Sequence, residues 1–145
     1  MKFSLKQIVT ISAIALAMTG CKSTGTQTSS YTLEDLQMQK WSLQQIDGQA
    51  VQVSDGNTVP YLRIDEKMMA VGYTGCNRFF AEANIKRDKL SIDKMNSTRK
   101  VCEKDAVELE NTFKKHLSEE NAINISDNTL TLSNGDTNLL FTVTN

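Results

Sequence analysis

The sequence predicts a mainly β domain of the α+β kind, with one helix inserted ahead of its last strands. Three observations carry that expectation. Apolar residues recur at alternate positions in short runs, most clearly Ile123 and Ile125, Leu130 and Leu132, then Leu139, Phe141 and Val143. Such spacing puts side chains on one face of a strand. Turn-forming pairs separate the runs: Asp47-Gly48, Arg87-Asp88 and Asn134-Gly135, of which Asp-Gly and Asn-Gly suit the positive φ of a two-residue hairpin. Only Asp105 to about Ser118 breaks the alternation, with Ala106, Leu109, Phe113 and Leu117 at helical spacing and charges opposite.

The chain starts with a segment of different character. Lys2 and Lys6 flank the start of a run, Ile8 to Met18, that is almost wholly apolar and about 11 residues long. Spanning a bilayer core of roughly 30 Å takes about 20 residues. The run therefore suits the h-region of a secretory signal rather than a transmembrane helix. A buried core helix would need a polar face, which the run lacks. Ordinary cleavage would need an Ala-x-Ala-like site, which is poorly placed here. Met18-Thr19-Gly20-Cys21 instead resembles the lipobox of bacterial lipoprotein signals, with Met18 where Leu is usual. That resemblance implies a lipoprotein signal peptide over 1–20 and acyl chains on Cys21, more than one of which gives stable membrane anchoring. Lys22 follows rather than Asp, which in a Gram-negative source implies the periplasmic face of the outer membrane.

Lys22 to Ser30 is small, polar and nearly free of hydrophobes, so it buries too little to offset ordering. We expect a lipidated, flexible tether over 21–32, whose nine polar residues reach on the order of 15–18 Å, and a single domain over 33–145. Without residues 1–20 the chain has 14 basic and 17 acidic residues, a formal charge of −3. No basic stripe for nucleic acid is present. Contact with a membrane would run through the acyl chains.

Within the domain, Trp41 and Leu43 alternate with polar residues toward the Asp47-Gly48 turn. In Val59–Ile64, Leu62 and Ile64 fall on one side and Val59 and Tyr61 on the other, with Pro60 suited to a strand start or an edge. Met68–Tyr73 and Phe79–Ile85 read as two further strands, and Leu90 with Ile92 as another. Asp105 is placed to cap the helix, with Glu108 three residues on as a capping box wants. The three C-terminal runs complete the set.

Three segments together resemble a known family. They are Trp41-Ser-Leu-Gln-Gln-Ile-Asp-Gly48; Gly75-Cys76-Asn77-Arg78-Phe79; and Thr98 to Cys102, followed by Glu110, Phe113, Leu117 and Leu130-x-Leu132. This set is similar to the META domain family, which includes the heat-shock-associated lipoprotein HslJ. The resemblance spans roughly Leu33 to Val143 and departs at Lys100-Val101, where the family often has Met-Ala. It implies a small lipocalin-like β-barrel with the helix packed on it, and a non-enzymatic interaction or stress-tolerance role. Small barrels are often filled by their own side chains. The alternative, a carrier or sensor of a small apolar ligand, therefore depends on an open cavity.

With Cys21 acylated, Cys76 and Cys102 remain, an even count that favours a disulfide in an oxidising compartment. The alternative is a pair of buried thiols acting as small hydrophobes. Metal binding is not expected: structural zinc takes four Cys or His ligands, and the single histidine, His116, falls on the expected solvent side of the helix. In the Gly75–Phe79 motif, glycine permits positive φ and Asn77 can bond local backbone, while Phe79 enters the core. Arg78 has two readings, pairing with a carboxylate or binding an anion through its planar fork; a fixed turn at a barrel rim is the preferred reading of the motif. Asp65-Glu66 and Glu119-Glu120 read as solvated turn acids, Met68-Met69 as strand packing. No nucleophile elbow or triad is present, so no catalytic residue and no cofactor is expected. The partners expected are the membrane and an envelope protein.

Overall fold

The computed structural model describes residues 31–53, 58–135 and 137–144. Residues 1–30, including Cys21 and nearly all of the expected tether, lie outside the described residues. The elements run α1 (Leu33–Leu36), β1 (Trp41–Ile46), β2 (Gln49–Ala50), β3 (Tyr61–Ile64), β4 (Met69–Tyr73), β5 (Arg78–Lys86), β6 (Lys89–Ser97), α2 (Lys104–Ser118), β7 (Asn121–Ser126), β8 (Thr129–Asn134) and β9 (Thr137–Val143). All strand pairings are antiparallel, in the order β2-β1-β3-β4-β5-β6-β7-β8-β9. β1 also pairs with β9, from Trp41↔Val143 to Ile46↔Leu139. That pairing closes the sheet into a ring and leaves few unpaired edges.

The turn chemistry accounts for the hairpins. Asp47 and Gly48 have φ of 52° and 77°, Arg87 and Asp88 of 50° and 60°, the mirror-image turns whose twist matches that of paired strands. Leu62, Ile64, Leu90, Ile92, Leu130, Leu132, Leu139 and Phe141 are all essentially inaccessible, so the period-2 sets face one interior. Trp41 lies there too, its Nε1 donating to the Leu36 carbonyl at 2.9 Å.

The two helices sit at opposite ends of β4. α1 meets the turn ahead of β4, where Gln37 Nε2 donates to the Asp65 carbonyl and Met38 N to that of Ile64. α2 meets the turn after β4 through Glu110 and sends Phe113 and Leu117 into the core. The Phe113 ring packs 6.0 Å from that of Phe141.

Three details differ from the expectation. α2 starts at Lys104, with Glu103 as N-cap and no side-chain cap bond. Asp105 therefore lies inside the first turn, where its charge still complements the helix dipole. His116 is buried, not solvent-facing; it lies three residues from Phe113 and adjoins Leu117, so the buried stripe is wider than the apolar pattern indicates. Met68 is a turn residue with φ of 61°, and β4 begins at Met69. The short α1 gave no apolar pattern at all; a Thr32/Asp35 capping box holds it.

Candidate functional site: the Gly75–Phe79 rim

The turn from Thr74 to Asn77 is built around one asparagine. Asn77 Oδ1 accepts from the Thr98 hydroxyl at 2.9 Å and from Lys100 N at 2.7 Å. Its backbone N and its Nδ2 donate to Glu110 Oε2 at 2.9 and 3.1 Å. The Thr74 hydroxyl also bonds Glu110. One side chain thus ties the β4–β5 turn to the loop after β6 and to α2. The Cys76–Cys102 disulfide, with Cα atoms 5.9 Å apart, makes a second, covalent tie between the same turn and loop. Gly75 has φ of 106°, and a Cβ there would lie 3.0 Å from Leu109 Cδ2, so both conformation and space call for glycine.

The motif divides by direction. Phe79 is buried, as expected. It lies against Gly72, where a Cβ would fall 2.1 Å from the Tyr61 carbonyl oxygen and 2.5 Å from Phe79 Cε1. Arg78 is exposed, but its backbone is held, N donating to Thr98 Oγ1 at 3.2 Å and its carbonyl accepting from Thr98 N at 3.0 Å. Beside it lies a concavity of about 410 Å3 lined by Thr58, Tyr61, Tyr73, Arg78, Thr98 and Lys100, next to Cys76.

A model of the META domain matches residues 34–145. The chain belongs to the META domain family. No curated protein sequence matches it. It is similar to one solved structure, determined by NMR, at 29% identity, covering 78% of this chain and 95% of that one with a TM-score of 0.64. It is also similar to an NMR structure of a Burkholderia xenovorans protein at 22% identity, covering 77% of this chain and 85% of that one with a TM-score of 0.62. The second likeness concerns the fold alone.

Within this META domain the outer face of β3–β5 is unusual for an exposed surface. Register sets Tyr61 beside Tyr73 and Tyr73 beside Arg78; the next row holds Arg63, Val71 and Phe80. Phe80 is 56% exposed, Val71 44% and Met69 38%. The signal was legible in outline: β4 sets Met69, Val71 and Tyr73 on one phase and only Ala70 and Gly72 on the other, and β5 carries Phe79 and Phe80 on opposite phases.

Other candidates resolve simply. Asp65 Oδ1 accepts from Lys67 N and Met69 N, a turn role. His116 Nδ1 has no hydrogen-bond partner among the described residues and lies 3.7 Å from Glu119 Oε2. Among the described residues no group of three His, Cys, Asp or Glu is placed to hold a metal. No helix among them is long and apolar enough to cross a membrane. Glu110, quoted for the family resemblance, acquires its role only from the fold.

Proposed function

We propose that this META domain is a non-enzymatic interaction module, carried by a lipid anchor on Cys21 at the periplasmic face of the outer membrane, with a role in envelope stress tolerance. The supporting observation is the exposed Met69–Val71–Phe80 cluster flanked by Arg63, Arg78 and two tyrosines. Aromatic, Met and Arg side chains are the types enriched where proteins bury surface against one another. A rigid barrel wall presents them with little ordering left to lose on binding.

The carrier reading has weaker support. Trp41, Phe113, Phe141 and a set of Leu and Ile residues occupy the interior among the described residues, and interiors packed by such side chains have few voids larger than a water molecule. A hollow of about 560 Å3 does lie beside α1, with Leu33, Met68 and Ile85 in its wall, but on the surface.

A photoreactive residue at position 80 of the anchored protein in cells tests the docking face. Reproducible crosslinks to one envelope protein, lost when Val71→Ser and Met69→Ser are added, are expected. Crosslinks no more frequent than from a photoreactive residue at Lys89, the first residue of β6, would overturn the assignment.

A further inference from the structure

The concavity beside Arg78 differs from the docking face in chemistry. Among its described lining residues two are cations, Arg78 and Lys100, and none is a carboxylate. Neither cation takes part in an ion pair among the described residues. The Lys40 ammonium lies 5.0 Å from the centre of the Tyr61 ring, adding positive potential at the same margin. This local sign opposes that of the chain, whose residues 21–145 sum to −3.

We infer that this groove binds a phosphoryl group. A guanidinium offers a planar fork and an ammonium a compact point charge. Together they suit an anion with three or more oxygens, whereas a single carboxylate is satisfied by the fork alone. The hydroxyls of Thr58 and Tyr61 have no hydrogen-bond partner among the described residues and complete the donor set. Tyr73 and Thr98 are already engaged, donating to the Gly75 carbonyl at 2.8 Å and to Asn77 Oδ1 at 2.9 Å, and so serve as wall. The cations stand on fixed backbone. Thr98 holds both the N–H and the carbonyl of Arg78, and Asn77 holds the Lys100 N–H at 2.7 Å. Preorganised donors lose little on binding. The inference goes beyond the docking reading and does not depend on it.

Position says which source to expect. The groove lies at the α2 end of β4, and the described chain begins at the α1 end. On the anchor proposed at Cys21, ahead of α1, this rim is at the far end of β4 from the point of attachment, so the source we expect is a soluble phosphorylated ligand rather than the anchoring leaflet.

The test uses the acylated protein in zwitterionic nanodiscs, titrated with inorganic phosphate at constant ionic strength, and follows the amide signals of Arg78, Thr98 and Lys100. A saturable response confined to this rim is expected. The double variant Arg78→Gln, Lys100→Gln should bind about tenfold more weakly or worse, as loss of charge-assisted bonds requires. Lys86→Gln with Lys89→Gln, which removes equal charge at the other end of β5, should change affinity less than about twofold because salt screens distant charges. A non-saturating wild-type response, or equal losses in both double variants, would overturn the inference. A second arm replaces part of the lipid with phosphatidylglycerol. Unchanged rim signals there identify a soluble source, and the same saturable shifts without added phosphate identify a lipid headgroup. Failure of the position-80 crosslinks would leave both arms readable.

Discussion

The Asn77 side chain bonds Glu110 on α2 and both Thr98 and Lys100 in the loop after β6, and its backbone N–H adds a further bond to Glu110. Removing the side chain takes the Nδ2 donor from Glu110, which is nearly buried and keeps the Asn77 N–H and the Thr74 hydroxyl, and it frees the Lys100 N–H. Asn77→Ala should therefore cost about 2–4 kcal/mol, the combined effect of several buried, partly charge-assisted bonds. A shift of the urea midpoint at unchanged slope is the measurement; a shift within error would mean the network is dispensable. A different residue governs the start of the domain. Asp35 accepts from Thr32 N and from its hydroxyl, and these bonds hold its carboxyl below the ordinary aspartate value. A lowered folded pKa means the contribution is complete above the unfolded value and disappears as pH falls through the folded one. An NMR titration should find Asp35 the more acidic for Thr32, and Thr32→Ala should return it toward the ordinary range. No change in that variant would remove the capping box from the account.

At the level of elements, the loop after β6 and the β4–β5 turn behave as one unit, because a disulfide and a hydrogen-bond network join them. The bond Cys76–Cys102 closes 26 residues of sequence separation, which the chain-entropy account values at about 3–4 kcal/mol. Denaturant unfolding with and without reductant should separate by about that amount. Thiol labelling of denatured, unreduced protein should find neither residue free. Labelling of both would return the pair to the alternative of buried thiols. α2 shows why helix detail was harder to read than helix existence. The 3.6-residue spacing of Leu109, Phe113 and Leu117 sufficed for the element. The extent of its buried face depended on what packs over its last turn, where Asn121 Nδ2 donates to the His116 carbonyl at 2.8 Å. No periodicity within the helix encodes that neighbour.

For the molecule as a whole, ring closure by β1 and β9 brings the first and last strands together, so both chain ends of the domain contribute to one core. The anchor we propose is an independent matter of chemistry at one residue, Cys21. Cys21→Ala, with residues 1–20 exchanged for a secretory signal that ends in an Ala-x-Ala cleavage site, should move the protein from the membrane to the soluble periplasmic fraction without altering its unfolding midpoint. Retention in the membrane fraction would instead point to a second determinant. The strands were legible because alternation and turn residues are local; α1 and β2 were not, since four-residue helices and two-residue strands carry too few positions for a period. The docking face was half legible, as surplus apolar residues at Val71 and Phe80 with no stated use.

Local patterning carried the strand number in outline, the place of α2, the two domain cysteines that pair and the family. All of these rest on residues near one another in sequence, or on their identity alone. Closure of the ring, the burial of His116, the reach of Asn77 to Glu110 and the meeting of Arg78 with Lys100 depend on register between distant segments. Gly72 illustrates the difference. Its requirement for glycine comes from a carbonyl eleven residues away, at Tyr61, and from the Phe79 ring, and contacts of that kind exist only once the chain has folded.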